Sequence, residues 1–302
     1  MKVLAYGEVL FDVVGMKEEI GGAPFNFSAH MARLGAKVEL MSAVGKDDRG
    51  AQVRKYLQKY RVPDRLLAET EYPTGVCQVT LNAQGVPSYE LVKPAAWDNI
   101  PWTETICEKI TEEDYDLLYF GSLSQREPIS EETLHWVLEK VSSRYRLFDC
   151  NIRPPFATRK TVRQGLECCT HLKVSREEAP SLTELKVVPT YEDNRRQEWC
   201  RAVAEAYGLE QCSSHWTRMV RRCTTRRMGN MLNSRPSRLR WFPLSEQGTA
   251  LQRAIWPLCS AATLSTFLCT RPYSSAAVSS SPPVPSRKSK KKGLSITKAS
   301  QR

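Results

Sequence analysis

Residues 21–50 read GGAPFNFSAHMARLGAKVELMSAVGKDDRG, and they decide the fold because a glycine turn, a polar helix start and a second glycine turn form one unit. Gly21 and Gly22 admit backbone angles that a side chain forbids, so a ligand can approach the main chain there. Pro24 fits a first helical turn. Asn26, one turn in, offers both a donor and an acceptor, which suits a hydroxyl-rich ligand near a helix N-terminus. Gly35 closes the helix, Val38 to Val44 reads as a buried strand, and Gly45 followed by Asp47 and Asp48 turns the chain into the next helix. Taken alone, Gly21 and Gly22 also fit a plain helix between two turns. The whole pattern reads as a small-molecule site.

Upstream, a strand-like Val3-Leu4-Ala5-Tyr6 leads into Gly7-Glu8-Val9-Leu10-Phe11-Asp12. With residues 21–50, this segment resembles the ribokinase or PfkB family of sugar kinases, most nearly its fructokinase branch. The resemblance covers residues 1 to about 211. It implies an α/β fold, a ribokinase-like three-layer sandwich with a mainly parallel sheet and a small β lid, disrupted in its last third. It also implies transfer of the γ-phosphate of ATP to a sugar hydroxyl, with Mg2+ near the phosphates. By the same resemblance Asp12 accepts hydrogen bonds from sugar hydroxyls, Gly21 and Gly22 admit the sugar to the backbone, and Asn26 binds a further hydroxyl. Without it, Asp12 reads as a turn or solvent carboxylate.

Along the rest of the chain, residues 1–14 read as a buried strand running into an exposed one. Residues 73–92 alternate around Asn82 to Gly85 as a β-hairpin. The family places its lid in segments corresponding to about 9–20 and 73–92, and a lid has a physical purpose in excluding water from phosphoryl transfer. Asp116 to Phe120 and Arg146 to Cys150 read as buried strands. Pro128 to Val141 reads as a helix, with Ser130, Glu131 and Glu132 supplying N-terminal polarity. A short helix over 161–171, a strand over Leu172 to Val174 and an amphipathic helix over Asn194 to Tyr207 complete the pattern. Alternating strands and helices imply parallel βαβ units, whose ligands gather at the carboxyl ends of strands.

That edge receives Asp149, Asn151 and Arg153. Asp149-Cys150-Asn151-Ile152-Arg153-Pro154 resembles a family segment of Asp, Pro, Asn, any residue, Arg, Pro, with Cys150 in place of the first proline. Lys173 to Glu178 resembles a stretch in which an Asn stands three residues before a Glu that helps organise magnesium. Here Ser175 replaces the Asn and Glu178 keeps the carboxylate. Glu177 and Glu178 also fit a simple charge pair at a helix N-terminus. Cys168, Cys169 and His171 lack a second ligand pair at zinc-finger spacing, so no direct metal site is expected. The ten cysteines are scattered and read as free thiols.

The net charge of +11 conceals two chemistries. Residues 1–211 hold 27 Lys plus Arg against 32 Asp plus Glu, whereas residues 212–302 hold 17 against Glu246 alone. The second segment is a basic tail rich in Ser, Arg and Pro, read as disordered, and CSSHWTRMVRRCTTRRMGN follows neither helical nor strand period where a strand is due. The family carries a Gly-Ala-Gly-Asp segment there, whose amides stabilise the transferring phosphate and whose Asp removes the hydroxyl proton. Residues 212–302 contain no match and no Asp. Codons permitted by Pro243 to Ile255, read from each third base, yield Thr-Val-Gly-Ala-Gly-Asp-Ser-Phe-Thr-Ala-Gly-Tyr. The same shift from Cys212 restores a strand, turn and strand. A one-nucleotide change of reading frame near Gln211 and Cys212 accounts for both.

The expectation is a sugar kinase lineage, inactive in this chain for want of its catalytic segment. A sugar-binding remnant without turnover is the alternative, and a nucleic-acid-binding tail built on SRKSKKKG (286–293) is a third reading. Lid-to-lid homodimers follow from the resemblance. No leader and no membrane span is apparent, so a cytoplasmic protein is expected.

Overall fold

The computed structural model describes residues 1–81, 87–215 and 220–224. The chain begins β1 (Lys2–Tyr6), β2 (Leu10–Val14), β3 (Lys17–Gly21), α1 (Ala23–Arg33), β4 (Lys37–Gly45) and α2 (Asp48–Tyr60). It continues through β5 (Leu67–Thr70), β6 (Gly75–Leu81), β7 (Pro87–Leu91), α3 (Glu104–Thr111), β8 (Tyr115–Gly121) and α4 (Pro128–Lys140). Then come β9 (Ser143–Asp149), α5 (Arg159–Cys168), β10 (His171–Ser175), α6 (Ala179–Glu184), α7 (Arg196–Tyr207), β11 (Gln211–His215) and β12 (Val220–Thr224).

The main sheet has the order β12-β11-β10-β9-β8-β1-β4-β5, parallel throughout except for the β11–β12 pair. Successive residues of its central strands point to opposite faces. Val3 and Ala5 of β1 with Leu117 and Tyr119 of β8 join Phe25, Phe27, Val53 and Leu57 in one core cluster. Leu4, Tyr6, Leu118 and Phe120 join Leu134, Val137, Val162, Leu166 and Val203 in the other. Both faces are therefore covered by helices, α1 and α2 on one side and α4, α5 and α7 on the other. This is the three-layer α/β sandwich with a mainly parallel sheet that the sequence implies.

The second sheet, β3-β2-β6-β7, is formed by two antiparallel pairs joined by the parallel β2–β6 contact. Asp47 fixes its entrance. This side chain caps α2 by accepting the Gly50 N–H at 2.7 Å, and it also accepts the Thr74 N–H and hydroxyl at 2.8 and 2.7 Å. Arg126 fixes its exit: fully buried, it forks onto Asp98 at 2.6 and 2.8 Å and donates to the carbonyls of Leu91 and Val92.

Three sequence expectations need correction, and two elements form where none is expected. The strand after Tyr6 is not exposed: Phe11 and Val13 of β2 pack into the main core, and Leu10 packs with Cys77 and Val79 of β6. Ser130 does not supply N-terminal polarity to α4, because its buried hydroxyl receives the Ile100 N–H and donates to the Trp97 carbonyl. Strand β5 and helix α3 form in segments whose weak local signatures predict no element. Finally, order does not stop at residue 211. Strand β11 lies parallel to β10 with His171 opposite Gln211, and β12 pairs back on it. A strand recruited to an open sheet edge gains its ladder from main-chain groups, whatever the side-chain period. The rest of the basic segment, residues 216–219 and 225–302 with its lysine run, lies outside the described residues, as does the hairpin turn at Asn82 to Gly85.

Candidate active site

The carboxyl ends of β1, β8, β9 and β10 meet one another and the start of α1. After β1 the chain passes Gly7 and Glu8 into β2, and β3 returns it to the turn at Gly21 and Gly22. Gly22 adopts φ 101°, and a Cβ there would lie 2.5 Å from the Glu8 carbonyl oxygen. Only glycine takes this backbone without strain. The N-cap of α1 thus has no side chain, and the cap comes instead from Glu8, whose Oε1 accepts the Ala23 N–H at 3.2 Å. Asn26 is half-buried one turn on, with its own N–H on the Gly22 carbonyl at 2.9 Å.

Asp12 stands mid-strand in β2, opposite Cys77 of β6. Partial burial raises its pKa, against a hydrogen bond from the Cys77 thiol, with Glu19 adding to the rise and Arg153 opposing it. Burial, and then the same carboxylate, push the Cys77 thiol up to about 11, which keeps it a protonated donor. Glu8 is only 2% exposed. Burial raises its pKa to about 7, and nearby Asp149 adds to the rise, while the backbone N–H groups of Glu8 and Ala23 and the Arg153 charge oppose it.

On the opposite side, Asp149 ends β9 almost fully buried. Its Oδ2 accepts the Tyr119 hydroxyl at 2.8 Å, and both oxygens accept from Lys173 at 2.7 Å. Burial works against the Lys173 charge, but Asp149 and Glu178 outweigh it and raise the pKa of the ammonium. Burial and the Asp149 charge hold the Tyr119 hydroxyl well above its usual range, so it stays a donor. Cys150 explains its own departure from the family pattern. Its backbone N–H donates to the Lys173 carbonyl at 3.0 Å, extending the β9–β10 ladder by a bond that proline cannot make. Asn151 then takes a left-handed φ of 40°, which asparagine tolerates better than most residues. Arg153 follows, exposed, one guanidinium N–H on the Ile152 carbonyl.

Glu178 joins two loops. One oxygen accepts the Ile152 N–H at 3.0 Å and the other the Ser175 N–H at 2.6 Å, while the Ser175 hydroxyl receives the Glu178 N–H at 3.2 Å. The hydroxyl of Ser175 thus closes the local turn, leaving the Glu178 carboxylate turned back toward β9. Among the described residues no three His, Cys, Asp or Glu side chains converge on a metal position. Cys77, Cys107, Cys150, Cys168 and Cys169 are free thiols.

Of the eight residues expected from sequence, Asp149, Asn151, Arg153 and Glu178 stand at or just beyond the ends of β9 and β10, Gly21, Gly22 and Asn26 surround the start of α1, and Asp12 stands within the second sheet. Arg153 comes within electrostatic reach of Asp12, and Glu178 is joined to the Asn151–Arg153 loop by its bond to Ile152. Sequence reasoning assigned no role to Glu8, Tyr119, Cys77 or Lys173. The signal for Lys173 was a charge inside a five-residue buried strand, and for Glu8 a carboxylate one residue beyond one.

The sequence profile described as pfkB family carbohydrate kinase matches residues 2–204. The chain belongs to that family. An uncharacterized sugar kinase of Pyrococcus horikoshii is 29% identical over 164 residues, covering 50% of this chain and 52% of its own length. This pfkB-family chain therefore spans about half of the curated relative it matches. The structure of that kinase has a TM-score of 0.60 to the chain at 24% identity, covering 74% of this chain and 76% of the other. The fructokinase of Vibrio cholerae bound to fructose, ADP and calcium gives 0.63 at 16% identity, covering 88% and 89%. Aminoimidazole riboside kinase of Salmonella enterica, bound to its riboside and an ATP analogue, gives 0.62 at 19% identity over 89% and 90%. These likenesses establish the fold. No helix among the described residues is long and apolar enough to cross a membrane.

Proposed function

We propose that this chain descends from ATP-dependent sugar kinases of fructokinase type and that its described residues form the sugar-gripping side of the site. The observation that carries the reading is that the Arg153 charge acts on both Asp12 and Glu8, which puts the loop after β9 beside β2 and the β1–β2 link. In this reading sugar hydroxyls donate to Asp12, the Gly21–Gly22 main chain lets the ring come close, and Asn26 takes a further hydroxyl. Asp149, Asn151, Arg153 and Glu178 border the phosphate side.

ATP with Mg2+ would supply the phosphoryl group and neutralise its charge. The donor set fits magnesium carried by phosphates and its own water, since Glu178 and Asp149 already hold protein partners and form no cage. The catalytic base is another matter. The family's Gly-Ala-Gly-Asp segment is absent from the sequence, and residues 212–302 contain no Asp. We therefore expect little or no turnover, because proton transfer and charge stabilisation are lost together.

Fructose-dependent ADP release at high protein concentration tests the inactivity, and robust release overturns it. Thermal shift with fructose tests the grip, and no stabilisation at high fructose concentration counts against it. The coding DNA across codons 205–260 tests the frame change. A second copy pairing through the four-stranded sheet belongs to the same reading, and Val14 and Tyr89 leave apolar surface there, 43% and 64% exposed. Sedimentation checks it.

A further inference from the structure

We propose that Glu8 is a positioning residue of the sugar site, capping α1 from a distance and holding the Gly21–Asn26 turn in register with Arg153. The proposal rests on the sugar-site reading above, and three observations carry it. Helix α1 has no capping side chain and no acidic residue in its first turn, although the first amides of any helix need an acceptor. Glu8 supplies that acceptor to Ala23 from fifteen residues upstream. Glu8 is buried, and Gly22 packs on the Glu8 carbonyl oxygen.

A second property follows from the groups around it. Glu8 faces Asp149 at the end of β9 and Arg153 in the loop beyond, and Tyr119 of β8 senses its charge. With a pKa of about 7, Glu8 changes charge near neutrality. The ionised carboxylate is the stronger acceptor for Ala23, so the turn tightens as pH rises. Sugar affinity should rise with it. Fold stability moves the opposite way: a carboxyl group whose folded pKa exceeds its unfolded one stabilises below the unfolded pKa, and that contribution is lost as pH rises toward 7. Affinity and stability with opposed pH slopes are not what a purely structural carboxylate produces.

The test compares wild type, Glu8→Gln and Glu8→Ala in the full chain. Fructose affinity is measured by calorimetry between about pH 6 and about pH 8, with amide exchange at residues 22–26. Wild-type affinity should strengthen severalfold across that range. Glu8→Gln keeps an acceptor oxygen without a titrating group, so it should bind with a flat profile. Glu8→Ala should lose about tenfold in affinity at pH 8 and exchange faster at Ala23, as expected for an amide left without its acceptor. A wild-type profile in Glu8→Gln assigns the titration to Asp12 or another group and overturns the pH inference. Unchanged affinity and exchange in Glu8→Ala overturn the positioning role. If wild type binds no fructose at any pH, the sugar reading falls, and the Ala23 exchange rates alone decide whether Glu8 caps the helix.

Discussion

Lys173 donates from its ammonium group to both carboxylate oxygens of Asp149, each at 2.7 Å, across neighbouring parallel strands. The side chains are 18% and 5% exposed, so neither charge can turn to water if the other is removed. Lys173→Met should destabilise the fold by about 3–5 kcal/mol, and Asp149→Asn with Lys173→Met together by less than the sum of the singles. Urea unfolding of the three variants measures both quantities.

Glu178 spans the β9 and β10 loops by accepting one backbone amide from each. Glu178→Ala leaves the N–H groups of Ile152 and Ser175 without acceptors, at about 1–3 kcal/mol each where water cannot replace them. Glu178→Gln keeps one acceptor oxygen and turns an NH2 toward the other amide, so it should fall between. Circular dichroism melts rank the variants.

Gly22→Ala combines a φ of 101° with a built-in clash at the Glu8 carbonyl. The backbone alone costs about 1–3 kcal/mol, and relieving the clash displaces the turn. Loss of fructose-induced stabilisation should exceed the loss of fold stability, as comparison of melts with and without fructose reveals.

Two buried groups give opposing pH slopes. Burial lowers the His171 pKa to about 4. Its stabilising contribution is therefore present above the unfolded pKa and lost as pH falls through the folded one, amounting to about 3 kcal/mol at most between pH 6.5 and 4. Glu8 acts oppositely, stabilising below pH 4.5 and losing that contribution toward 7. His171→Gln should flatten the acid side of the unfolding profile and Glu8→Gln the neutral side. Urea midpoints across pH separate them.

Residues 21–50 were legible because each feature has a local cause: Pro24 at the first turn, Asp47 at a cap, apolar positions continuous through a strand with both faces covered. The loss of pattern after residue 211 was equally plain, yet β11 lies in the first five residues beyond Glu210. Its cause is the open edge of β10, which no local window contains. The role of Glu8 has no local signature for a similar reason. A carboxylate after an apolar strand reads as solvent-facing, and its burial follows from Gly22, Asp149 and Tyr119, the latter two more than a hundred residues away.

Arg126 adds a test of the second sheet. With its guanidinium wholly buried on Asp98 and 4.0 Å from the Trp97 ring, Arg126→Ala should cost about 3–5 kcal/mol, and Arg126→Lys should recover little, because one ammonium cannot fork onto a carboxylate and reach two carbonyls. Thermal unfolding of both variants decides it. The same contact limits how the sheet can move. Strand β3 runs directly into α1 at Gly22, and Arg126 moors the end of β7, so both outer strands are tied down. Both ties lie at the same end of the sheet, where Leu10 pairs with Gly21 and Gly75 and Cys77 pairs with Leu91, so the sheet has a single stem, and a push on the far turn between Val14 and Lys17 acts as a lever about that root.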